Sequence, residues 1–136
     1  MPAFSTPVTP SSLRPGTAVS VWVFPFFRHK GIVSDRFFGD NPMVLSNSAR
    51  ARGVAEEPWD VFASGQHVLV EGYPESLARS AVVHRARSLV GTKYDLFDWN
   101  CEHLISYAHG LVPKSPQVAI VIAAALIVGL VAFAAD

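Results

Sequence analysis

The chain has 136 residues and carries 11 basic and 11 acidic side chains, so its formal net charge is zero. This length predicts a single domain. The balanced charge argues against a dedicated nucleic-acid-binding protein and against a highly charged disordered chain. Hydrophobic residues make up 50% of the sequence, but the segment Val118–Ala135 supplies 17 of them. The other 118 residues include 51 hydrophobic ones, a share that is typical of a globular domain.

The first half of the chain is predicted to be rich in β-strands. Met1–Pro15 contains many Pro, Ser and Thr residues and lacks the pattern of a signal peptide, so we expect a flexible leader. Strands are predicted at Thr17–Phe24, His29–Ser34 and Pro42–Ser48, because these stretches are dense in β-branched and aromatic residues. The turn-rich connection Asp35–Pro42 predicts that the last two form an antiparallel hairpin.

The second half predicts one more strand and two helices. Ala49–Gly65 is predicted to be irregular, and His67–Glu71 to form a strand. Apolar residues at helical spacing predict a helix over Ser76–Val90. Another helix is predicted from Cys101 to Ala108, with Gly110 in the position of a C-terminal capping residue. Four apolar side chains of the irregular stretch are expected to reach the core: Val54, Trp59, Val61 and Phe62.

Cys101 is the only cysteine, which excludes an intramolecular disulfide and a multi-cysteine metal site, and we expect neither metal nor cofactor. Asp98 and Asn100 are both suitable N-caps for the last helix, so Cys101 falls in its first turn. There the helix dipole and the backbone N–H groups favour the nucleophilic thiolate. The alternative is an inert core cysteine, because Cys101 shares a helix face with Leu104 and Ile105.

A cysteine nucleophile needs a base, and the chain offers histidines at positions 29, 67, 84, 103 and 109. His103 lies two residues from Cys101 on the same helix, so it points elsewhere and is expected at the surface or in a cap contact. His29 and His67 each open a predicted strand. We consider His29 the candidate base, with a ring that could face the start of the Cys101 helix, and His67 the weaker alternative.

Two segments resemble the lecithin:retinol acyltransferase-like family, a permuted branch of the papain-like thiol fold. His29–Asp35 is similar to the family's strand H-x-G-I-Y-V-G-D, and Asn100–Leu104 to its motif N-C-E-H-F. Between them, Gly91–Leu96 is similar to the lead G-x-x-Y-(N/D)-L. The resemblance implies an α+β domain over residues 16–112, with an antiparallel sheet packed on the cysteine-bearing helix. It also implies Cys101 as nucleophile and His29 as base.

The family also implies a third residue that orients the imidazole, as in other thiol triads. In many members this is a histidine in a stretch V-I-H-x-S, and the matching stretch here is Val44–Ser48. Ser46 falls at the position of that histidine. Asn47 is the chemical alternative, because an amide oxygen orients an imidazole well. The two lie on opposite faces of a strand, and the sequence leaves the choice open.

The resemblance implies an acyltransferase or phospholipase that acts on membrane lipid esters through a Cys101 acyl-thioester. Backbone N–H groups at the start of the Cys101 helix, capped by Asn100 or Asp98, would stabilise the oxyanion. Two alternatives remain at this point: a cysteine peptidase or amidase of the same superfamily, and a non-catalytic, membrane-tethered interaction module. We expect no nucleic-acid partner, and the sequence does not indicate an oligomeric state.

Val118–Ala135 predicts a C-terminal transmembrane anchor, because all of its 18 residues except Gly129 are apolar. A helix of this length spans about 27 Å, close to the roughly 30 Å hydrocarbon core of a bilayer. Only Asp136 follows, which predicts insertion after synthesis as a tail anchor. Lys114 lies on the domain side, which favours a cytoplasmic domain. The short Pro-containing spacer, residues 113–117, would keep Cys101 near the bilayer.

Overall fold

The computed structural model describes residues 9–23, 27–73, 77–93 and 100–110, which form an α+β domain. Its five-stranded antiparallel sheet has the strand order β4-β3-β2-β1-β5. The elements of the described residues are a 3₁₀-helix at Pro10–Ser12, β1 Ala18–Val23, β2 Phe27–Phe38, β3 Asn41–Ser48, β4 Gly53–Glu57, α1 Trp59–Ala63, β5 Leu69–Gly72, α2 Arg79–Arg87 and α3 Cys101–Ala108.

Strand β2 lies at the centre of the sheet and carries the predicted histidine. It pairs with β1, where His29 is opposite Val21, and with β3, where Gly31 is opposite Ser46. The predicted antiparallel hairpin of β2 and β3 is therefore confirmed. The strand is longer than predicted, because the chain stays extended to Phe38 and turns only at Gly39 and Asp40.

Alternating side chains give the sheet two apolar faces, each covered by helices. The first face packs on α1 through Val19, Val21, Val33, Val44, Trp59 and Phe62. The second face packs on α2 and α3 through Ile32, Leu45, Val54, Val82, Val83, Leu104 and Ala108. Full burial stabilises each of these side chains by about 1.5–3 kcal/mol. We call these faces the α1 face and the α3 face.

The stretch Ala49–Gly65, predicted to be irregular, instead contains β4 and α1. The prediction was wrong because both elements are only five residues long and β4 is defined by its pairing with β3. Three of its four predicted core residues, Val54, Trp59 and Phe62, are buried, whereas Val61 is 43% exposed. Helix α3 has the predicted bounds, while α2 and β5 are shorter than predicted.

Arg87 fastens the end of α2 to the sheet. Its Nε donates to Glu56 Oε2 over 3.0 Å, and its Nη2 donates to Ser34 Oγ over 3.0 Å and to Asp35. Burial acts to raise the pKa of Glu56, but the hydrogen bonds from Arg87 and Ser34 lower it below its usual value. Arg87 thus orders α2, which packs directly on α3.

The described residues end two positions after α3, where Gly110 has a positive φ of 78°. This is the conformation expected of a glycine that follows a helix C-terminus. No helix within the described ranges is both long enough and apolar enough to cross a membrane. The predicted anchor Val118–Ala135 and its spacer lie outside the described residues.

Candidate active site

A capping box begins α3 and accounts for two residues of the Asn-Cys-Glu-His motif. Asn100 Oδ1 accepts hydrogen bonds from the backbone N–H groups of Glu102 (2.9 Å) and His103 (3.3 Å). In return, His103 Nδ1 accepts a hydrogen bond from the Asn100 N–H over 3.0 Å. His103 takes the place that Glu or Gln has in most capping boxes, so the predicted cap contact is confirmed. The alternative cap, Asp98, lies outside the described residues.

Cys101 is the first helical residue of α3, and its thiol lies against the backbone of β2. Cys101 Sγ is 4.0 Å from the carbonyl oxygen of Arg28, and the backbone N–H of Lys30 also forms a hydrogen bond with the thiol. The register of β2 with β3 starts only at Gly31. The start of α3 therefore lies against the part of β2 that β3 leaves open, on either side of His29.

Lys30 and Glu102 form an ion pair that joins β2 to the first turn of α3. Lys30 Nζ is 3.4 Å from Glu102 Oε2, and Glu102 is only 4% exposed. A carboxylate so well buried needs such a partner to remain charged. Lys30 was not among the residues predicted for the site, although its position directly after His29 was a usable signal.

His29 projects to the α1 face, the face opposite α3. It lies across from Val21 of the α1 face, and its ring centroid is 5.2 Å from that of Phe62. The expectation that the ring faces the start of α3 is therefore corrected. Cys101 Sγ lies at the edge of the β2 segment that carries His29. The His29 imidazole extends from that segment on the α1 face.

Burial, together with the nearby positive charge of Arg50, lowers the pKa of His29 to about 4. Arg50 is held by Glu57 Oε2 at 2.9 Å and by Ser64 Oγ at 3.1 Å. The imidazole is consequently neutral at pH 7. Arg50 could not be found from the sequence, because its contribution depends on how β3 and α1 pack around His29.

Burial also raises the pKa of Cys101 above its ordinary value. The Lys30 N–H acts in the opposite direction, and the negative charge of Glu102 adds to the increase. The prediction that the helix start lowers the pKa of Cys101 is therefore wrong, because burial of the thiol raises it. At neutral pH the site holds a thiol and a neutral imidazole.

Ser46 and Asn47 lie on opposite faces of the sheet, as predicted. Ser46 is opposite Gly31 and shares the α1 face with His29, whereas Asn47 is opposite Val54 and shares the α3 face. Ser46 is fully buried, and neither its Oγ nor His29 Nε2 has a hydrogen-bond partner among the described residues.

Gly31 lies opposite Ser46 and leaves space for the side chains of Val44 and Phe62 on the α1 face. A Cβ at Gly31 would lie 2.4 Å from Val44 Cγ1 and 2.8 Å from Phe62 Cε2. Neither contact is sterically possible, so a larger residue would push α1 away from β2. The close packing of Val44 and Phe62 therefore explains why the predicted strand motif has a glycine at position 31.

Among the described residues, three backbone N–H groups in the first turn of α3 have acceptors within the protein. Asn100 Oδ1 occupies the N–H groups of Glu102 and His103, and the Leu104 N–H donates to Asn100 O. Within the described ranges, the N–H of Cys101 itself has no acceptor. Of the N–H groups predicted as oxyanion donors at the helix start, those of Glu102, His103 and Leu104 therefore already have an acceptor within the protein.

The other histidines lie away from the thiol or have structural contacts. His67 is exposed and precedes β5, and His84 is exposed on α2. His109 is fully buried at the end of α3, where its ring packs edge-on against Tyr73 with centroids 5.3 Å apart.

Fold and site together define an α+β protein in which one cysteine starts a helix beside a histidine-bearing strand. The family described as lecithin retinol acyltransferase matches residues 18–110. The chain therefore belongs to the lecithin retinol acyltransferase family, as the sequence motifs indicated.

The lecithin retinol acyltransferases of Homo sapiens and Bos taurus are two relatives of this chain. Each is 33% identical over 81 residues, which cover 55% of this chain and 35% of the relative. The chain thus spans about a third of the length of these curated relatives. No solved structure matches the chain significantly.

Proposed function

We propose that this protein is a cysteine-dependent acyltransferase or phospholipase that acts on lipid acyl esters, with Cys101 as nucleophile and His29 as base. One observation carries the proposal: Cys101 Sγ lies 4.0 Å from the β2 backbone at the residue preceding His29. Membership of the family supports the same chemistry. The strand-then-helix order of the two residues agrees with a permuted papain-like fold.

In the proposed reaction, the neutral His29 imidazole takes the thiol proton as Sγ attacks the acyl carbonyl carbon. The Cys101 N–H donates a hydrogen bond to the oxyanion that forms. The ester C–O bond then breaks, and the leaving alkoxide receives the proton from His29. A hydroxyl acceptor or water, deprotonated by His29, attacks the thioester and regenerates the thiol. Since both groups are neutral at rest, the ion pair forms only during reaction.

Ser46 is the residue that we propose orients His29, in preference to Asn47. His29 Nε2 and Ser46 Oγ are both buried on the α1 face, and neither has a hydrogen-bond partner among the described residues. His29 and Ser46 occupy diagonal positions on β2 and β3, because Ser46 is opposite Gly31. Diagonal positions are about 7–8 Å apart, a distance that an aromatic side chain such as imidazole can bridge. Ser46 Oγ would accept the Nε2–H hydrogen bond and leave Nδ1 for the thiol proton. Asn47 points to the other face.

A phospholipid is the proposed acyl donor. The two relatives are named for an acyl transfer that involves lecithin and retinol, and lecithin is a phospholipid. We further propose that Val118–Ala135 anchors the domain in a membrane, with residues 16–112 on the cytoplasmic side. A lipid ester in that membrane would then be close to the tethered domain.

The test is to incubate the full chain with phosphatidylcholine vesicles and to measure lysophospholipid release together with acylation of Cys101 by mass spectrometry. Wild type should release lysophospholipid and carry an acyl group. Cys101→Ser and His29→Ala should each abolish release, and the double variant should be no worse than either, because the pair acts as one unit. His67→Ala is the matched histidine control and should retain activity.

The alternative functions give different results in the same experiment. Faster Cys101-dependent cleavage of a peptide amide than of the lipid ester would identify a peptidase. Absence of any Cys101-dependent turnover or acylation would indicate a non-catalytic module. Fractionation of the full chain and of residues 1–116 tests the anchor: only the full chain should sediment with membranes and require detergent for release.

A further inference from the structure

An exposed tryptophan lies beside the candidate site. Trp22 is 54% exposed and stands directly opposite Arg28 in the β1–β2 register. The carbonyl oxygen of Arg28 lies 4.0 Å from Cys101 Sγ. Paired strands are about 4.8 Å apart, and β2 lies between the thiol and the strand that carries the tryptophan.

Trp22 lies on the α3 face, the face from which Cys101 approaches. Along β1, Val19 and Val21 belong to the α1 core. Because successive side chains of a strand point to opposite faces, Ser20 and Trp22 point to the α3 face. A molecule bound against the exposed side of the ring would therefore be near the start of α3.

A chain of polar contacts orders this ring. The Arg28 guanidinium lies 5.2 Å from the centroid of the Trp22 ring, within cation–π distance. Arg28 Nη1 donates to Glu71 Oε1 over 2.8 Å, and Ser20 Oγ donates to the same oxygen over 2.6 Å. Ser20 is fully buried, so the network is fixed to the sheet. Arg28 thus contacts the exposed Trp22 ring, and Glu71 and Ser20 fix the position of Arg28.

The exposed aromatic residues at the other end of β2 lack this arrangement. Phe37 is 57% exposed and Phe38 is 69% exposed, and the described ranges show no ring or cation–π contact for either. Single exposed apolar side chains are ordinary on protein surfaces. Trp22 differs because Arg28 lies over its ring and because it is paired with the β2 residue whose carbonyl oxygen lies 4.0 Å from the thiol.

We propose that Trp22 is a specificity-determining residue that contacts the acyl chain of the substrate. This inference rests on the proposed function and deepens it. When the carbonyl carbon is at Cys101 Sγ, the attached chain extends over the Trp22 ring and covers its exposed surface. Long acyl chains gain this contact, and an acetyl group is too short to reach it. The enzyme therefore prefers long-chain esters.

The test compares p-nitrophenyl octanoate with p-nitrophenyl acetate as substrates of the full chain in one detergent. In Trp22→Ala, the octanoate-to-acetate ratio of kcat/KM should fall about tenfold, the size of a lost apolar contact in a substrate site. Trp22→Phe should restore most of the ratio. Arg28→Gln, which keeps the ring but removes the guanidinium above it, should lower the ratio by less than Trp22→Ala. Phe38→Ala is the matched control and should keep the wild-type ratio.

Two results overturn the inference while the proposed function stands: an unchanged ratio in Trp22→Ala, or equal losses for both esters, which would indicate a structural role. If wild type shows no Cys101-dependent turnover of either ester or of phosphatidylcholine, the proposed function fails and the inference fails with it.

Discussion

Burial favours the neutral form of both Cys101 and His29. It raises the pKa of the thiol and lowers that of the imidazole to about 4. A helix N-terminus alone would favour the thiolate, but Cys101 is enclosed by β2 and sits next to the buried Glu102. At neutral pH the protein therefore holds Cys101 as a thiol beside a neutral His29. This distinguishes the site from a thiol that is already ionised at rest.

Cys101 in the substrate-free protein should therefore react with iodoacetamide with a pH midpoint above about 8.5, the value of an ordinary thiol. Glu102→Gln should lower this midpoint, because the negative charge of Glu102 raises the pKa of the thiol. The rate of alkylation as a function of pH, followed by mass spectrometry, measures both values. A wild-type midpoint near pH 7 would contradict the neutral-pair description.

Ser46 and Asn47 allow a direct comparison of the two candidate orienting residues. Ser46→Ala should lower kcat about tenfold, the equivalent of one hydrogen bond, with little change in KM. Asn47→Ala should instead reduce the folded-state stability, because Asn47 is buried on the α3 face, and the folded fraction should keep its kcat. Steady-state kinetics and thermal unfolding of both variants separate these effects. A larger loss of kcat in Asn47→Ala would reverse the assignment.

At the scale of elements, α3 is positioned by local caps and by contacts from distant parts of the chain. Asn100 and His103 define where the helix begins, and the Lys30–Glu102 pair attaches its first turn to β2. Helix α2 packs against α3 and is itself tied to the sheet by Arg87. The precision of the thiol's position therefore depends on residues far from it in sequence.

Arg87→Gln should destabilise the fold by about 2 kcal/mol, because it leaves the buried Glu56 without its main partner. Arg36→Gln is the matched control. Its guanidinium is 3.7 Å from the same carboxylate, but its side chain is 64% exposed, so its loss should cost less than about 0.5 kcal/mol. Urea unfolding followed by circular dichroism measures both differences. Equal effects would show that Arg87 does not hold α2.

For the whole molecule, the buried His29 predicts acid sensitivity. Its pKa is 6.5 in the unfolded chain and about 4 in the fold, so the unfolded state binds more protons between these values. The contribution to stability is complete above pH 6.5 and is lost as the pH falls toward 4. At about 1.4 kcal/mol per pKa unit, this loss amounts to about 3 kcal/mol.

His29→Gln should therefore lose about 2 kcal/mol less stability than wild type between pH 7.5 and pH 4.5, as measured by urea unfolding at both values. The pKa values of Asp35 and Glu56 are also lowered in the fold, but both carboxylates are present in each protein and their contributions cancel. Identical pH dependence in the two proteins would contradict a buried, neutral His29.

The amino-acid sequence by itself determined the local features of this protein. A cap at Asp98 or Asn100, Cys101 in the first turn and the bounds of α3 follow from side chains within a few residues of each other, and the structure identifies Asn100 as the cap. The opposite faces of Ser46 and Asn47 follow from the two-residue period of a strand. The family could be predicted because its motifs are short and contiguous.

Only the tertiary structure decided which face of the sheet each group occupies and whether the thiol is charged. Strand β4 forms because its backbone pairs with β3. Arg50 lies near enough to His29 to lower its pKa only because β3 and α1 pack together. Ser20 and Glu71, 51 positions apart, meet to order Trp22. Desolvation and cross-strand contacts sum over the whole fold, so no local pattern in the sequence could contain them.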